Sequence, residues 1–222
     1  MKKIFYRLPA LLLTAAMCLV IASGGIAQAE ESGSMDHFTD VMPGQWFYSA
    51  IEFVVENGYF NGVSKTSFAP GEPMTRAMFV TVLGRFAGVE DTAEDEESSV
   101  FEDVIPGSYY CGYVNWAVEN KIVTGYSKTI FGQGDPVTRE QIAVFLYRYA
   151  KFAGLDTSIE NTAYPSTFNV GEKISPWAVK GVTWAMHKGL MKGLANNMDH
   201  QAVATRAEVA QILMNFSNFA NE

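Results

Sequence analysis

Apolar residues follow two rhythms along this chain. From Leu8 to Ala29 no charge interrupts them. Beyond that they come in short blocks at helical spacing, divided by loops rich in Gly and Pro. Trp46, Phe47, Ala50, Ile51, Val54 and Val55 fall on one face of a predicted helix. Asn57-Gly58 supplies its stop, because Gly accepts the left-handed conformation that ends many helices. The stretch 59–74 holds Gly62, Pro70, Gly71 and Pro73, which predicts a loop. Phe68 pins that loop to the core. A second helix starts at Thr75, with Phe79, Val82, Leu83 and Phe86 on its apolar face.

The block then returns. Shifted by 63 residues, Phe38-Thr39-Asp40-Val41 falls on Phe101-Glu102-Asp103-Val104, and Pro43-Gly44 on Pro106-Gly107. Gly62-Val63-Ser64-Lys65-Thr66 falls on Gly125-Tyr126-Ser127-Lys128-Thr129, and Thr75-Arg76 on Thr138-Arg139. A third, weaker copy places Trp184-Ala185 on Trp116-Ala117, Gly193 on Gly125 and Thr205-Arg206 on Thr138-Arg139. Its loop is one residue shorter. Phe168-Asn169-Val170 lacks the aspartate of the first two copies. Each copy reads helix, loop, helix, and two helices cannot bury an apolar face alone. Three copies pooling their faces predict a compact all-α assembly of approximate threefold symmetry.

The uncharged start changes the picture of the rest. Lys2, Lys3 and Arg7 precede it, and Ala27-Gln28-Ala29 forms a small-x-small site. Residues 1–29 therefore read as a secretory signal peptide cut before Glu30. The alternative is an uncleaved anchor, since the run is just long enough to span a bilayer. Cys18 is read as part of the signal core. Removing residues 1–29 takes three cations and no acid from the formal -8 of the whole chain, leaving -11. That charge argues against nucleic acid, and against membrane insertion or bulk attraction of the mature chain to anionic lipid. Cys111 is then alone. An intermolecular bridge or reactive thiol and a small buried side chain are both open to it, and the buried side chain is favoured. The acidic stretch 89–100 lacks the glycine-turned, alternating ligands of a calcium loop and reads as a solvated linker. Residues 152–167 form a second linker.

Candidate chemistry centres on the repeated Thr-Arg. Thr75, Thr138 and Thr205 stand where N-caps belong. Gln141 and Glu208 complete capping boxes, and Met78 cannot. Arg76, Arg139 and Arg206 follow at a helix end that is already partly positive. A cation there is explained if an anion meets both, and the guanidinium fork suits carboxylate or phosphate. The other reading is structural: each arginine pairs with Asp40 or Asp103, or caps a loop carbonyl. Trp46, Tyr109 and Trp177 repeat beside the loops as candidate sugar-stacking rings, whereas Trp116 and Trp184 belong to packing. His37, His187 and His200 have no metal-ligand spacing. No nucleophile motif or recurring carboxylate pair suggests an enzyme, and no cofactor is expected.

Phe-x-Asp, an aromatic-led helix, a glycine, a Phe-containing loop and Thr-Arg-Ala/Glu resemble the S-layer homology (SLH) module of bacterial cell-surface proteins. The resemblance covers residues 38–88, 101–151 and 168–218. It implies a three-pronged spindle around a central three-helix bundle. It also implies non-covalent anchoring to a secondary cell wall polymer linked to peptidoglycan, often pyruvylated, in grooves between modules. The contacts it implies are Arg76, Arg139 and Arg206, the loop glycines Gly62, Gly125 and Gly193, and the aromatics Trp46, Tyr109 and Trp177. A scaffold that binds a partner surface protein through the same grooves is the alternative. Little sequence remains outside the modules, so the chain acts alone, carries a non-covalent cargo, or is a fragment.

Overall fold

The computed structural model describes residues 35–90, 98–159, 174–191 and 199–222. The signal peptide expected at residues 1–29, most of the 89–100 linker, half of the 152–167 linker, the start of the third copy and Gly193 lie outside the described residues. Among the described residues a short 3-10 turn, Met35–His37, precedes six α-helices. They are α1 Tyr48–Glu56, α2 Arg76–Phe86, α3 Cys111–Glu119, α4 Arg139–Ala153, α5 Val179–His187 and α6 Arg206–Ala220. Among the described residues there is no sheet, only three isolated β-bridges. None of the described helices is long and apolar enough to cross a membrane.

The helices begin and end where their local chemistry directs. Thr75, Thr138 and Thr205 each accept a hydrogen bond from the N3 backbone N–H, and the last two complete reciprocal boxes with Gln141 and Glu208. At the close of the first helices, Gly58 and Gly189 take φ of 67° and 68°. The equivalent Lys121 is forced to 58°, a conformation in which a β-carbon crowds its own carbonyl. The first helices start two residues later than their apolar pattern suggests. Trp46, Tyr109 and Trp177 therefore sit in the turn just before each helix.

Among the described residues the most extensive helix pairings cross copies, while rings also meet within a copy, Trp116 with Tyr149 and Trp184 with Phe216. α2 lies against α3, α4 against α5, and α6 against α1. Phe86, Tyr149 and Phe216, one from each second helix, meet in a triangle with ring centroids 5.4, 5.8 and 6.2 Å apart. Burial, with Tyr59 nearby, pushes the Tyr149 phenol up to about 12. Trp116 and Trp184 are core residues. Cys111 is fully buried, its thiol 3.9 Å from the Ser98 carbonyl.

A closed circuit of backbone bonds ties the three loop ends together. Met74 N–H donates to Ala204 O, Ala204 N–H to Val137 O, and Val137 N–H to Met74 O. All three residues are buried, so the circuit satisfies main-chain groups that water cannot reach. Six further N–H groups cross the same junctions: Arg76 to Asp135 O, Arg139 to Ala202 O and Arg206 to Glu72 O, each followed by the next residue, Ala77 to Gln133 O, Glu140 to His200 O and Ala207 to Pro70 O.

The junctions are equivalent in register but differ in filling. At α2–α3 a small residue, Gly84, faces Tyr113. In the corresponding places at α4–α5 the sizes are exchanged, with Tyr147 on α4 and Gly181 on α5. A β-carbon on Gly181 would come within 2.9 Å of Val144. At α6–α1 the corresponding pair is Met214 and Ala50. Each junction thus carries one large and one small side chain, the economical way to fill a close helix crossing.

Candidate functional site

The arginines are placed by their caps. Because each threonine fixes the first turn, the next side chain projects from the helix end toward the loop of the following copy. Arg76 Nε donates to Phe131 O at 3.1 Å and Nη2 to Thr124 O at 3.2 Å. Arg206 repeats this one junction on, with Nε to Phe68 O at 2.8 Å and Nη2 to Asn61 O at 2.6 Å. Arg76 also lies 4.5 to 5.4 Å from the ring centroids of Tyr126, Phe131 and Phe145, and Arg206 4.7 and 5.3 Å from those of Phe68 and Phe60. They are only 2 % and 6 % exposed. Burial draws both guanidinium groups below their ordinary value, opposed at Arg76 by Tyr126, Asp135 and Asp103 and at Arg206 by Asp40. Of the two readings open in the sequence, capping a loop carbonyl is what Arg76 and Arg206 do here.

The aspartates serve the same loops from the other side. Asp40 accepts from Phe68 N–H, Ala69 N–H and the Ser67 hydroxyl. Asp103 accepts from the N–H groups of Phe131, Gly132 and Gln133. Desolvation alone would raise both carboxyls, but these donors outweigh it and hold them below the usual range. Each loop is therefore clamped by its own aspartate on N–H groups and by the neighbouring copy's arginine on carbonyls.

This arrangement brings the arginines to the loop glycines indirectly. Asn61 precedes Gly62, and Thr124 precedes Gly125. With the carbonyl bound to arginine and no cis peptide among the described residues, the glycine N–H points the opposite way. Neither Gly62 N–H nor Gly125 N–H meets an acceptor among the described residues. A β-carbon on Gly62 would lie 2.3 Å from Phe38 Cε1 and 2.6 Å from Ser67 O, and one on Gly125 would lie 2.4 Å from both Ile130 O and Phe101 Cε1. The glycines are thus required by space. Asn61 and Gly62 line a cleft of about 480 Å³ with His37, Phe38, Glu56 and Lys65.

Arg139 is held differently. It donates to Asp199 O at 3.1 Å and forms an ion pair with Glu208, with 13 % of each side chain exposed. Glu208 also accepts from Thr205 N–H, so one carboxylate both caps α6 and neutralises the arginine. The corresponding positions in the other copies, Met78 and Gln141, carry no charge. The sequence shows Glu208 as a capping residue, but not this second role, because its partner is 69 residues away. A further carboxylate, buried Glu140, accepts from Ser175 N–H and Oγ just ahead of Trp177.

The three aromatics are exposed, Trp46 by 58 %, Tyr109 by 47 % and Trp177 by 56 %. Among the described residues, no hydrogen bond or ring contact joins them to Arg76, Arg139 or Arg206. No cluster of described His, Cys, Asp and Glu could hold a metal ion.

Comparison with known proteins bears on what these junctions serve. Two segments, 37–78 and 100–143, match the S-layer homology domain. Residues 168–218 lie outside the matched segments. The chain is 33 % identical over 124 residues to the surface-layer 125 kDa protein of Lysinibacillus sphaericus, covering 54 % of this chain and 10 % of that protein. It is 24 % identical over 201 residues to the S-layer protein sap of Bacillus anthracis, covering 90 % and 23 %. It is also 27 % identical over 177 residues to exoglucanase XynX of Acetivibrio thermocellus, covering 79 % and 16 %. The chain thus spans less than a quarter of each of these relatives.

Proposed function

We propose that this chain is a non-catalytic anchor at the bacterial cell surface, binding an anionic, pyruvylated secondary cell wall polysaccharide. In this reading residues 1–29 direct export, and residues 168–218 form a third SLH module completing a spindle around a central three-helix bundle. Relatives named as surface-layer proteins and as a glucanase each match this chain over a portion much smaller than their whole. A shared attachment role is the simplest reason for that.

The observation that carries the reading is the unspent N–H of Gly62 and Gly125. An arginine on the far side of each peptide withdraws electron density from the carbonyl and strengthens the N–H as a donor. A ketal carboxylate is a fixed, compact acceptor for such a group, and Lys65 supplies a cation at the Gly62 cleft, which Glu56 also lines. Arg76 and Arg206 then act by bracing the peptide, while Trp46, Tyr109 and Trp177 offer faces to sugar rings. Binding must be short-range, because the net charge of the chain opposes an anionic polymer at a distance.

Purified protein should co-sediment with sacculi that keep their polymer and remain in solution with sacculi stripped of it. Lys65→Ala should weaken retention without changing the melting temperature. Folded wild type that ignores intact sacculi would reject the reading. Stoichiometric capture of one secreted protein instead would favour a scaffold role, for which the exposed pairs Met42 with Trp46 and Ile105 with Tyr109 offer apolar contact.

A further inference from the structure

Asparagine is a thermolabile side chain, and a following glycine leaves the next backbone nitrogen open to its amide. The first copy holds two such pairs, Asn57-Gly58 and Asn61-Gly62, and both asparagines are exposed. The fold treats them differently. At the end of α1, Asn57 Nδ2 donates to Phe53 O at 2.7 Å, and Gly58 N–H donates to Val55 O at 3.0 Å. The side-chain amide and the backbone nitrogen that would attack it are both engaged. At Asn61-Gly62 neither is. Among the described residues the Asn61 side chain makes no hydrogen bond and the Gly62 N–H meets no acceptor.

Arg206 widens the contrast. It donates to the carbonyl of the Asn61-Gly62 peptide itself, at 2.6 Å. A cation on that oxygen draws electron density from the peptide and makes its N–H easier to deprotonate. Lys65 and Glu56 line the same cleft with opposite charges. The guanidinium, bonded directly to the peptide, therefore sets the sign of the field at the nitrogen. The second copy repeats the geometry without the reactive group: Arg76 holds Thr124 O ahead of Gly125, and threonine has no amide to attack.

We propose that Asn61-Gly62 is a self-modifying site, where Arg206 promotes conversion of the asparagine to isoaspartate. Hydroxide removes the Gly62 amide proton. The Gly62 nitrogen then bonds to Asn61 Cγ, and the Cγ–Nδ2 bond breaks as Nδ2 takes a proton from water and leaves as ammonia. A cyclic imide remains, with a carbonyl on each side of the Gly62 nitrogen. Water adds to the main-chain carbonyl, the one Arg206 polarises, and the bond from that carbon to the nitrogen breaks. The chain now runs through Cγ, and the former carbonyl is a free carboxylate. One water is consumed, one ammonia is released and nothing is oxidised. The product gives Arg206 a charged acceptor in place of a neutral one. In the cleft it adds an acid beside Glu56, and the extra main-chain carbon displaces the Gly62 N–H. An anion held there would be lost, so the first copy carries a clock on its own binding. The clock rests on the wall-anchoring reading, and the chemistry does not.

The test is timed peptide mapping of the purified protein in mildly alkaline buffer, folded and in guanidinium chloride. Mass spectrometry with fragmentation that separates isoaspartate from aspartate reads each site. In the folded protein Asn61 should convert about tenfold or more faster than Asn57. Isoaspartate should take a larger share of its product than in denaturant, where the two asparagines should convert alike. Asn61→Thr, the residue of the second copy, should remove the fast conversion. Asn57 keeping pace in the folded protein, an undiminished lead of Asn61 in denaturant, or a product ratio indifferent to folding would overturn the proposal. Sacculus retention in parallel separates the two ideas. If Asn61 converts as stated but fresh wild type ignores sacculi, the site stands and the wall reading fails. If fresh wild type is retained but Asn61 stays intact, only the self-modification fails. Converted protein retained as well as fresh protein would refute the clock.

Discussion

Replacing Gly84 by alanine sets two physical effects against each other. Gly84 lies within α2 and is buried, so helix propensity alone favours alanine by about 1 kcal/mol. Packing opposes it. The added β-carbon would sit 2.3 Å from Tyr113 Cδ1 and 3.0 Å from Cε1, well inside van der Waals contact. Tyr113 is 3 % exposed and has little room to withdraw, and overpacking of this kind costs about 1–3 kcal/mol. The net expectation is destabilisation of about 0–2 kcal/mol. In a Tyr113→Ala background the obstacle is gone, and the same Gly84→Ala change should stabilise by about 1 kcal/mol. Urea denaturation followed by circular dichroism, on wild type, both single variants and the double variant, closes the cycle. A coupling of about 1–3 kcal/mol with reversal of sign is expected. If Gly84→Ala stabilises equally in both backgrounds, the ring does not press on this glycine and the size matching of the junctions has no energetic meaning.

Three other outcomes follow from the same geometry. Lys121→Gly should stabilise the protein by about 1 kcal/mol in thermal melts, since only the left-handed backbone at 58° is being relieved. Asp40→Asn should cost about 1–2 kcal/mol near neutral pH. The folded-state value of this carboxyl is depressed below 3.8, so its contribution is full above about pH 4 and fades as pH falls through that lower value; urea midpoints of the two proteins should converge there. Arg206→Lys should cost about 2–4 kcal/mol by chemical denaturation, because one ammonium cannot span the Phe68 and Asn61 carbonyls as the fork does.

Local features were legible in the sequence and tertiary partners were not. The repeated Thr with Gln141 or Glu208 specified caps that the helices use, and Met78 marked the one without a box. Gly58 marked a helix end because its conformation is a property of its own backbone. Arg76 was visible as an oddity, but its acceptors are 48 and 55 residues away on the next copy's loop. Periodicity carries no information about such reach. Asp40 and Asp103 were noticed as arginine partners, whereas they clamp main-chain N–H groups 28 to 30 residues on. The crowding around Gly62 depends on Phe38 from the start of the copy, so only the assembled loop reveals it. The offset of Trp46, Tyr109 and Trp177 arises because apolar spacing continues into the preceding turn, where helical hydrogen bonding has not begun.

The Met74–Ala204–Val137 circuit has a consequence for how this molecule comes apart. In an open array of repeats the outermost units have one neighbour each, so they fray first and unfolding spreads inward. Here the last copy bonds back to the first, and every unit has two neighbours. Releasing any one of them breaks two junctions together and uncovers the Phe86–Tyr149–Phe216 triangle shared by all. A pull on any one copy therefore meets the resistance of the whole closed body.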